Sequence, residues 1–570
     1  MLLVDARRLM GPNLLGREPL VIVELTFEAG ETLDLCLTAY RNELARMRLA
    51  LGFSAEIVPI VREHQRGAVI GYEAPIDAML PCAEMSEWAA LSAIERLASR
   101  EALPLAPKQD EIASLLAAEQ NTAMVELVVA ARARDVAFLW DDDEICLGLG
   151  VRSRSFAKGA IPAPAAVPWH EIGSIPVALI TGTNGKTTSS RLLAKIASEA
   201  GFVVGACSSD GITVGGATLE RGDWTGPFAA RTVLRNRGVE LAVLETARGG
   251  ILRRGLAAPT CDVALITNLS DDHLGLYGID DVRAMARVKA VVGHAARRAV
   301  VLNAQDPNLI ELSSAFAAPV TFFADLDTGD SAALNVISDH RRRGKSAVFA
   351  RQGSIVCATG ADELELMRLE DAPITFGGEA RYNVENVLGV VAAAQSLGLD
   401  STAICRGLCG FTAADNPGRG QLIETGGVRV MLDYGHNSAG VAAVLQLVST
   451  LRSACPGNLS IVAGCAGDRT DAEIEEMARQ IAASNPNHVY LRELPEYLRG
   501  RALGEVTRLF GSCFRRLGLG ERAVSQVASE VAALSDAFAG AAKGDFVVVL
   551  VHIEHDEVAA LLDRRVRALA

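Results

Sequence analysis

The stretch with the most chemistry in it runs from Val177 to Ile196, VALITGTNGKTTSSRLLAKI. An apolar run gives way to Gly182, Thr183, Asn184, Gly185, Lys186, Thr187 and Thr188, and a helical pattern follows. Two glycines at a strand-to-helix turn let backbone N–H groups converge, and the helix N-terminus adds its positive dipole end, so the point they face suits phosphate. These seven residues therefore read as a nucleotide loop. Lys186 would reach the terminal phosphates, and Thr187 would give its hydroxyl to Mg²⁺. One position departs from the usual G-x-x-x-x-G-K-[ST] spacing. A glycine is wanted at 180 and Ile180 stands there, which points to a non-standard P-loop.

Other residues could serve the same site. Glu245 closes the apolar run VELAVLE, at the carboxyl end of a predicted strand, where ligands bind in α/β sheets. His273, in SDDHLG, follows another such run, and Lys289 sits among apolar neighbours in MARVKAVV. Arg248, Arg253 and Arg254, in ARGGILRRG, could hold a substrate carboxylate through bidentate contacts. In GDWTGP, a glycine-rich loop, Thr225 offers a hydroxyl and Gly226 an amide. His552 and His555, in VHIEHDE, have no partner cluster in sequence and read as a surface pair at a strand end.

The elements that must hold these residues are legible as apolar patterns. With 570 residues the chain is too long for one core. Residues 1–160 form an α+β block. LVIVELTFE reads as a strand, and LDLCLTAYRNELARMRLALG as a helix ending at glycine. Residues 161–174, rich in proline, read as a linker. In 175–415, short buried strands (VALITG, VELAVLETA, CDVALITNL, RRAVVLNA) alternate with helices, which predicts a mostly parallel sheet around the P-loop. After a break at AADNPGRGQ, residues 416–570 predict a second, Rossmann-like α/β unit with four strands.

Composition narrows the function classes. The net charge of −14 argues against a nucleic-acid surface. No run of 18 apolar residues occurs and MLLVDARRLM lacks the apolar core of a signal peptide, so neither a membrane span nor secretion is expected. The eleven cysteines are scattered without a C-x-x-C pair, as expected for reduced thiols in a cytoplasmic protein.

TGTNGKTT resembles the ATP loop of the Mur ligases, which join an amine to a carboxylate at the expense of ATP. The segments DGITVGGATLERGDWTGPFAARTVL, VLETARGGILRRGL, CDVALITNLSDDHLGLYGIDDVRAMARVKAVV, NPGRGQ, LDYGHN and GDRTD are similar, in the same order, to the Mur-type half of the cyanophycin synthetase family. RRLMGPNLL and Thr122–Phe156 resemble parts of that family's N-terminal region. After Phe156, however, the ATP-grasp catalytic module expected there is missing, so polymer synthesis by this chain alone is not expected.

The resemblance implies roles. Glu245 and His273 would be Mg²⁺ ligands with Thr187. Lys289 would act at the metal, as a carbamylated lysine in many relatives. Asn383 and Asn386, three apart on one helix face, and Arg419, Asp433 and His436 would lie near ATP, and Asp468 and Arg469 near the incoming amine. The expected function is an ATP- and Mg²⁺-dependent ligase. It would activate a carboxylate of a small or peptidyl substrate as an acyl phosphate and couple it to an amino acid, with a basic one as the family-based choice. Relatives assemble, so a homodimer or homotetramer is expected. The alternatives are a non-catalytic nucleotide-binding partner of a complete synthetase, or a P-loop ATPase.

Overall fold

The computed structural model describes residues 1–570 except 272, 273, 454–456 and 570, and except the side chain of Leu569. Its first sheet is antiparallel, in the order β1-β2-β4-β3. The strands are β1 (Leu2–Leu9), β2 (Leu20–Thr26), β3 (Ile60–His64) and β4 (Gly67–Glu73). Val21, Val23 and Leu25 alternate along β2 and share a core with Tyr40 and Leu44 of helix Leu33–Ala50 and Met85 and Trp88 of helix Met79–Leu97. The first helix begins where Thr32 accepts a hydrogen bond from Leu35 N and stops just before Gly52, as its sequence predicts.

A small antiparallel sheet follows: β5 (Phe138–Trp140), β6 (Glu144–Leu147) and β7 (Arg154–Ala157). Its side chains divide between two cores. Trp140, Ile145 and Leu147 join the N-terminal core, while Leu139 and Cys146 join the central one. Strict alternation of side chains makes this sheet a shared wall. The proline-rich stretch is packed too. Val167, Trp169 and Ile172 lie against the N-terminal core, Ile175 enters the central core, and Trp169 Nε1 donates to Pro164 O at 2.8 Å. The apolar residues between its prolines dock it, where a linker reading considers only the prolines.

The central sheet is assembled from β8 (Val177–Thr181), β9 (Val204–Ser208), β10 (Gly211–Val214), β11 (Ala217–Arg221), β12 (Leu241–Glu245), β13 (Cys261–Ile266), β14 (Ala296–Asn303), β15 (Val320–Asp325), β16 (Ser346–Arg351), β17 (Ser354–Thr359) and β18 (Asp362–Arg368). The order is β11-β10-β9-β12-β8-β13-β14-β15-β16-β17-β18. It is parallel from β9 to β16 and antiparallel at both margins. Val177, Leu179, Ala242 and Leu244 face one core, and Ala178, Ile180, Leu241 and Val243 the other. Helices cover both faces, which is why these strands read as unbroken apolar runs.

The last sheet has six strands in the order β19-β20-β24-β21-β22-β23: β19 (Gln421–Thr425), β20 (Val428–Asp433), β21 (Leu459–Ala463), β22 (His488–Arg492), β23 (Val524–Val527) and β24 (Phe546–Leu550). Four were expected. The two extra strands, β19 and β23, are its margins, where half-buried polar sequence hides a strand's pattern. Among the described residues no disulfide forms, eight of ten cysteines are buried, and no single helix is long and apolar enough to cross a membrane.

Candidate active site

β8 lies between β12 and β13, with Ile180 beside Glu245 and Thr181 beside Ile266 in register. The carboxyl ends of three strands therefore open into one crevice. Ile180 is fully buried in the core, so the missing glycine of the loop motif is a strand residue, and the turn begins two residues later. Gly182 packs so closely on the next strand end that a Cβ would lie 1.8 Å from Thr267 Oγ1. Gly185 has φ +81°, and a Cβ there would lie 2.0 Å from Asn386 Oδ1. Both positions exclude a side chain.

The loop is held from β13's end. Thr183 N donates to Asn268 O at 2.9 Å, Asn184 N to Asn268 Oδ1 at 2.9 Å, and Thr267 Oγ1 to Asn184 O at 2.6 Å. Lys186, first residue of helix Lys186–Glu199, folds its ammonium onto Thr183 O at 2.9 Å. Lys289, 4% exposed on helix Val282–Ala295, donates to Gly182 O at 2.5 Å from the other side.

Thr187 Oγ1 lies 3.0 Å from Ser209 Oγ, and Ser209 N donates to a Glu245 carboxylate oxygen at 3.3 Å. Glu245 is 2% exposed, and burial raises its pKa; the Lys186 ammonium and the Arg419 guanidinium work against that shift. Thr187, Ser209 and Glu245 thus gather hard oxygen atoms beside the phosphate loop. No cluster of three or more His, Cys, Asp or Glu side chains exists among the described residues. A few protein oxygens, completed by phosphate and water, fit Mg²⁺ better than a metal that demands a full protein cage. His273 lies outside the described residues, as does Asp272.

The C-terminal unit closes over the crevice. Arg419 Nη2 donates to Ser209 Oγ at 3.3 Å, and its guanidinium stacks 4.0 Å from the Tyr434 ring centroid. Asp433 is buried, which raises its pKa, and accepts from Gly420 N at 2.7 Å and Gly435 N at 2.8 Å. The amides of Asn184 and Asn437 bond each other reciprocally across the interface, at 3.0 and 3.3 Å. His552 and His555 are not the surface pair that the sequence suggests. Both pack around Tyr434, and burial pulls the His552 pKa down to about 3.

Two cavities meet here. One, of about 490 Å³, is walled by residues 183–188, Glu245, Asn386, Arg419, Asp433 and His436. The other, of about 1040 Å³, runs from Lys186, Lys289 and His436 past Thr225, Gly226, Arg248, Arg253 and Arg254 to the N-terminal block. Lys186 and His436 line both. Thr225 is held by Asp223, to which its hydroxyl donates at 2.8 Å.

Three expected positions fall elsewhere. Asn383 lies behind the first cavity, donating to Ile374 O at 3.0 Å, and Asn386 and Glu385 take its place in the wall. Asp468 is ion-paired with Arg499, and Arg469 is buried near Glu473; neither lines either of these two cavities. Sequence reasoning missed Ser209, Asn268, Glu385 and Asn437. Only Asn437 carried a signal, as the last residue of LDYGHN.

Comparison with known proteins places the two cavities in a family. Residues 180–394 match the family model of the Mur ligase middle domain, and residues 418–551 that of the Mur ligase glutamate ligase domain. The cyanophycin synthetase of Crocosphaera subtropica is 39% identical over 339 residues, 59% of this chain and 38% of that protein. The UDP-N-acetylmuramoyl-L-alanyl-D-glutamate–2,6-diaminopimelate ligase of Geobacter metallireducens is 29% identical over 318 residues, 54% of this chain and 58% of that protein. The chain thus spans well under half the length of the cyanophycin synthetases it matches. Among solved structures, E. coli FolC with ADP aligns with a TM-score of 0.49 and 19% identity, over 69% of this chain and 90% of that one. With both of the family's domains present in order around one crevice, the chain belongs to the Mur ligase family.

Proposed function

We propose that the protein is an ATP- and Mg²⁺-dependent ligase that forms an amide between a substrate carboxylate and an amino acid. The observation that carries this reading is the meeting of two cavities at Lys186: a phosphate-sized loop with acidic and basic groups from two domains on one side, and an arginine-lined chamber on the other. In this reading residues 175–415 bind the nucleotide and 416–570 close on it.

Amide synthesis in water needs an activated carboxylate, and the protein's work is to align charged reactants and neutralise them. The loop amides and Lys186 hold the β- and γ-phosphates. Thr187, Glu245 and His273 would hold Mg²⁺, which would supply positive charge to offset that of the phosphates. The substrate carboxylate in the larger cavity attacks the γ-phosphorus, ADP leaves, and an acyl phosphate remains. The amine then displaces phosphate. Arg419, Asp433 and His436 reach the nucleotide from the closing domain and exclude water from the acyl phosphate. Lys289 steadies the loop through Gly182 O. A carbamate on Lys289 is tested with isotope-labelled bicarbonate, whose carbonyl resonance should disappear in Lys289→Arg.

The deciding assay measures ADP release over pooled amino acids and short Asp-containing peptides, with mass spectrometry of each pool and a Lys186→Ala control. Amine-dependent ADP release, with a product equal in mass to both substrates less water, supports the ligase. Turnover without either substrate supports a bare ATPase. ATP binding without turnover, with a complete synthetase co-purifying, supports a partner subunit.

A further inference from the structure

A cavity of about 510 Å³ lies apart from the two that form the candidate active site and shares no lining residue with either. Its volume is that of a small-molecule site, and it opens where such sites are common, between two units of the fold. One wall belongs to the N-terminal block, through β3 and the turn at Leu14 and Leu15. The other belongs to the central unit, through residues 278–281 and the first turns of helix Val282–Ala295. Leu14, Leu15, Ile60 and Val61 line it half-buried, so aliphatic surface there is open to cover by a ligand.

Most charged groups in the lining are already engaged. Arg62 donates to the carbonyls of Tyr277 and Gly278. Asp280 accepts from Gln65 N at 2.9 Å, and Asp281 caps the helix by accepting from Ala284 N at 2.7 Å. Burial lowers the pKa of His64 and keeps its imidazole neutral. Two charges remain. Glu63 on β3 and Arg287 on the helix are exposed, stand on walls from different units, and make no side-chain hydrogen bond or ion pair among the described residues. A purely anionic ligand would meet Glu63, Asp280 and Asp281, and a purely cationic one Arg62 and Arg287. One uncommitted acid and one uncommitted base over an aliphatic floor match a zwitterion with an apolar side chain. We propose that the cavity is an effector site for a free aliphatic amino acid, with its carboxylate on the guanidinium fork of Arg287, its ammonium on Glu63 and its side chain over Leu15 and Ile60.

The helix links this site to the chemistry. Ala284 and Arg287 face the effector cavity, whereas Met285 and Lys289 of the same helix face the larger cavity of the candidate active site. Lys289 holds the P-loop through Gly182 O. A ligand that joins Glu63 to Arg287 fixes the helix against the N-terminal block and so biases the loop that faces the phosphates. The coupling is reciprocal: whatever factor the amino acid applies to ATP affinity, ATP applies to that of the amino acid. The binding site does not depend on the ligase reading; the activity it tunes does.

The test uses the full chain and calorimetry with L-valine, L-leucine and L-isoleucine. The controls are 4-methylpentanoate, which lacks the ammonium, and 3-methylbutylamine, which lacks the carboxylate. At least one of the three amino acids should bind wild type at least about tenfold more tightly than either control. Arg287→Gln and Glu63→Gln should each weaken it about tenfold or more. Both should keep the melting temperature and ATP affinity of wild type without the amino acid, since these exposed side chains have no partner to lose. In wild type the amino acid should change ATP affinity about fivefold or more, and slow hydrogen exchange in helix Val282–Ala295; both effects should vanish in the two variants. A wild type that binds no amino acid better than the controls would overturn the proposal. So would binding that both variants leave unchanged, which would put the amino acid in the active site, and binding that leaves ATP affinity unmoved. Should no amide product form while the Glu63- and Arg287-dependent binding persists, the ligase reading falls and the effector site stands.

Discussion

Glu245 is the residue at which folding and chemistry conflict most. Its carboxylate is buried, and burial raises its pKa above the ordinary value of 4.5. A raised carboxylate pKa means that the folded protein prefers the protonated form. Unliganded stability is therefore greatest below the unfolded value and falls as pH rises through the folded one. Glu245→Gln removes the buried charge. Near pH 8 it should melt higher than wild type without ligand, by about 1–2 kcal/mol, and the gap should close toward about pH 4.5. If Glu245 is the metal ligand proposed above, the same variant should lose Mg²⁺·ATP-induced stabilisation and about a hundredfold or more in turnover. Differential scanning calorimetry across pH, with and without Mg²⁺·ATP, measures both halves. A variant less stable than wild type at every pH would contradict the account.

At the scale of elements, the site depends on how segments are pinned. The P-loop turn relies on Gly185 in the left-handed region against Asn386. Gly185→Ala should cost about 1–3 kcal/mol and displace the helix that presents Lys186, weakening ATP affinity more than stability alone explains. Titration with a fluorescent ATP analogue tests this. A second pinned segment is the loop after His273. From the N-terminal sheet, Arg62 donates to Tyr277 O at 2.8 Å and Gly278 O at 2.6 Å, and Arg66 donates to Gly275 O at 2.8 Å. Arg7 also bonds Leu252 O, next to the arginines of the larger cavity. The N-terminal block thus holds two segments of the site in place. Arg62→Ala should free residues 275–280, speeding proteolytic cleavage there severalfold while the far side of the central sheet keeps its protection. Limited proteolysis with mass mapping would show it; unchanged cleavage would mean that the loop holds itself.

At the scale of the whole molecule, the proposed function turns on closure of the C-terminal unit. Its polar contacts with the P-loop side include the Asn184–Asn437 amide pair, Arg419 on Ser209, and Arg191 donating to Asn416 Oδ1 at 3.0 Å, while Phe376, Ala380 and Tyr382 of the central unit pack against its core. Polar contacts of this kind let domains part and meet again. Asn437→Ala removes one latch without touching a phosphate ligand. If closure protects the acyl phosphate, the variant should release more ADP per amide formed, because water reaches the intermediate. A parallel count of ADP and product checks it, and an unchanged ratio would dissociate the latch from water exclusion.

Much of the central unit was legible in the chain alone, for a physical reason. A parallel sheet buried on both faces must be written as apolar runs, and a phosphate loop must be written with glycines before a lysine. VALITGTNGKTT and VELAVLE therefore announced β8, β12, Lys186, Thr187 and Glu245. The margin strands β19 and β23 and the packed proline stretch were not legible, because their burial comes from neighbours distant in sequence. Of Asn383 and Asn386, both expected near the nucleotide, tertiary structure put only Asn386 in the cavity wall, and it turned His552 inward against Tyr434. It also left the Nε of Arg231 buried without a hydrogen-bond partner among the described residues. Spacing along a chain fixes which residues share a strand or a helix face. Which charges pair, and which remain for a ligand, is settled only when separate segments compete for the same partners in space.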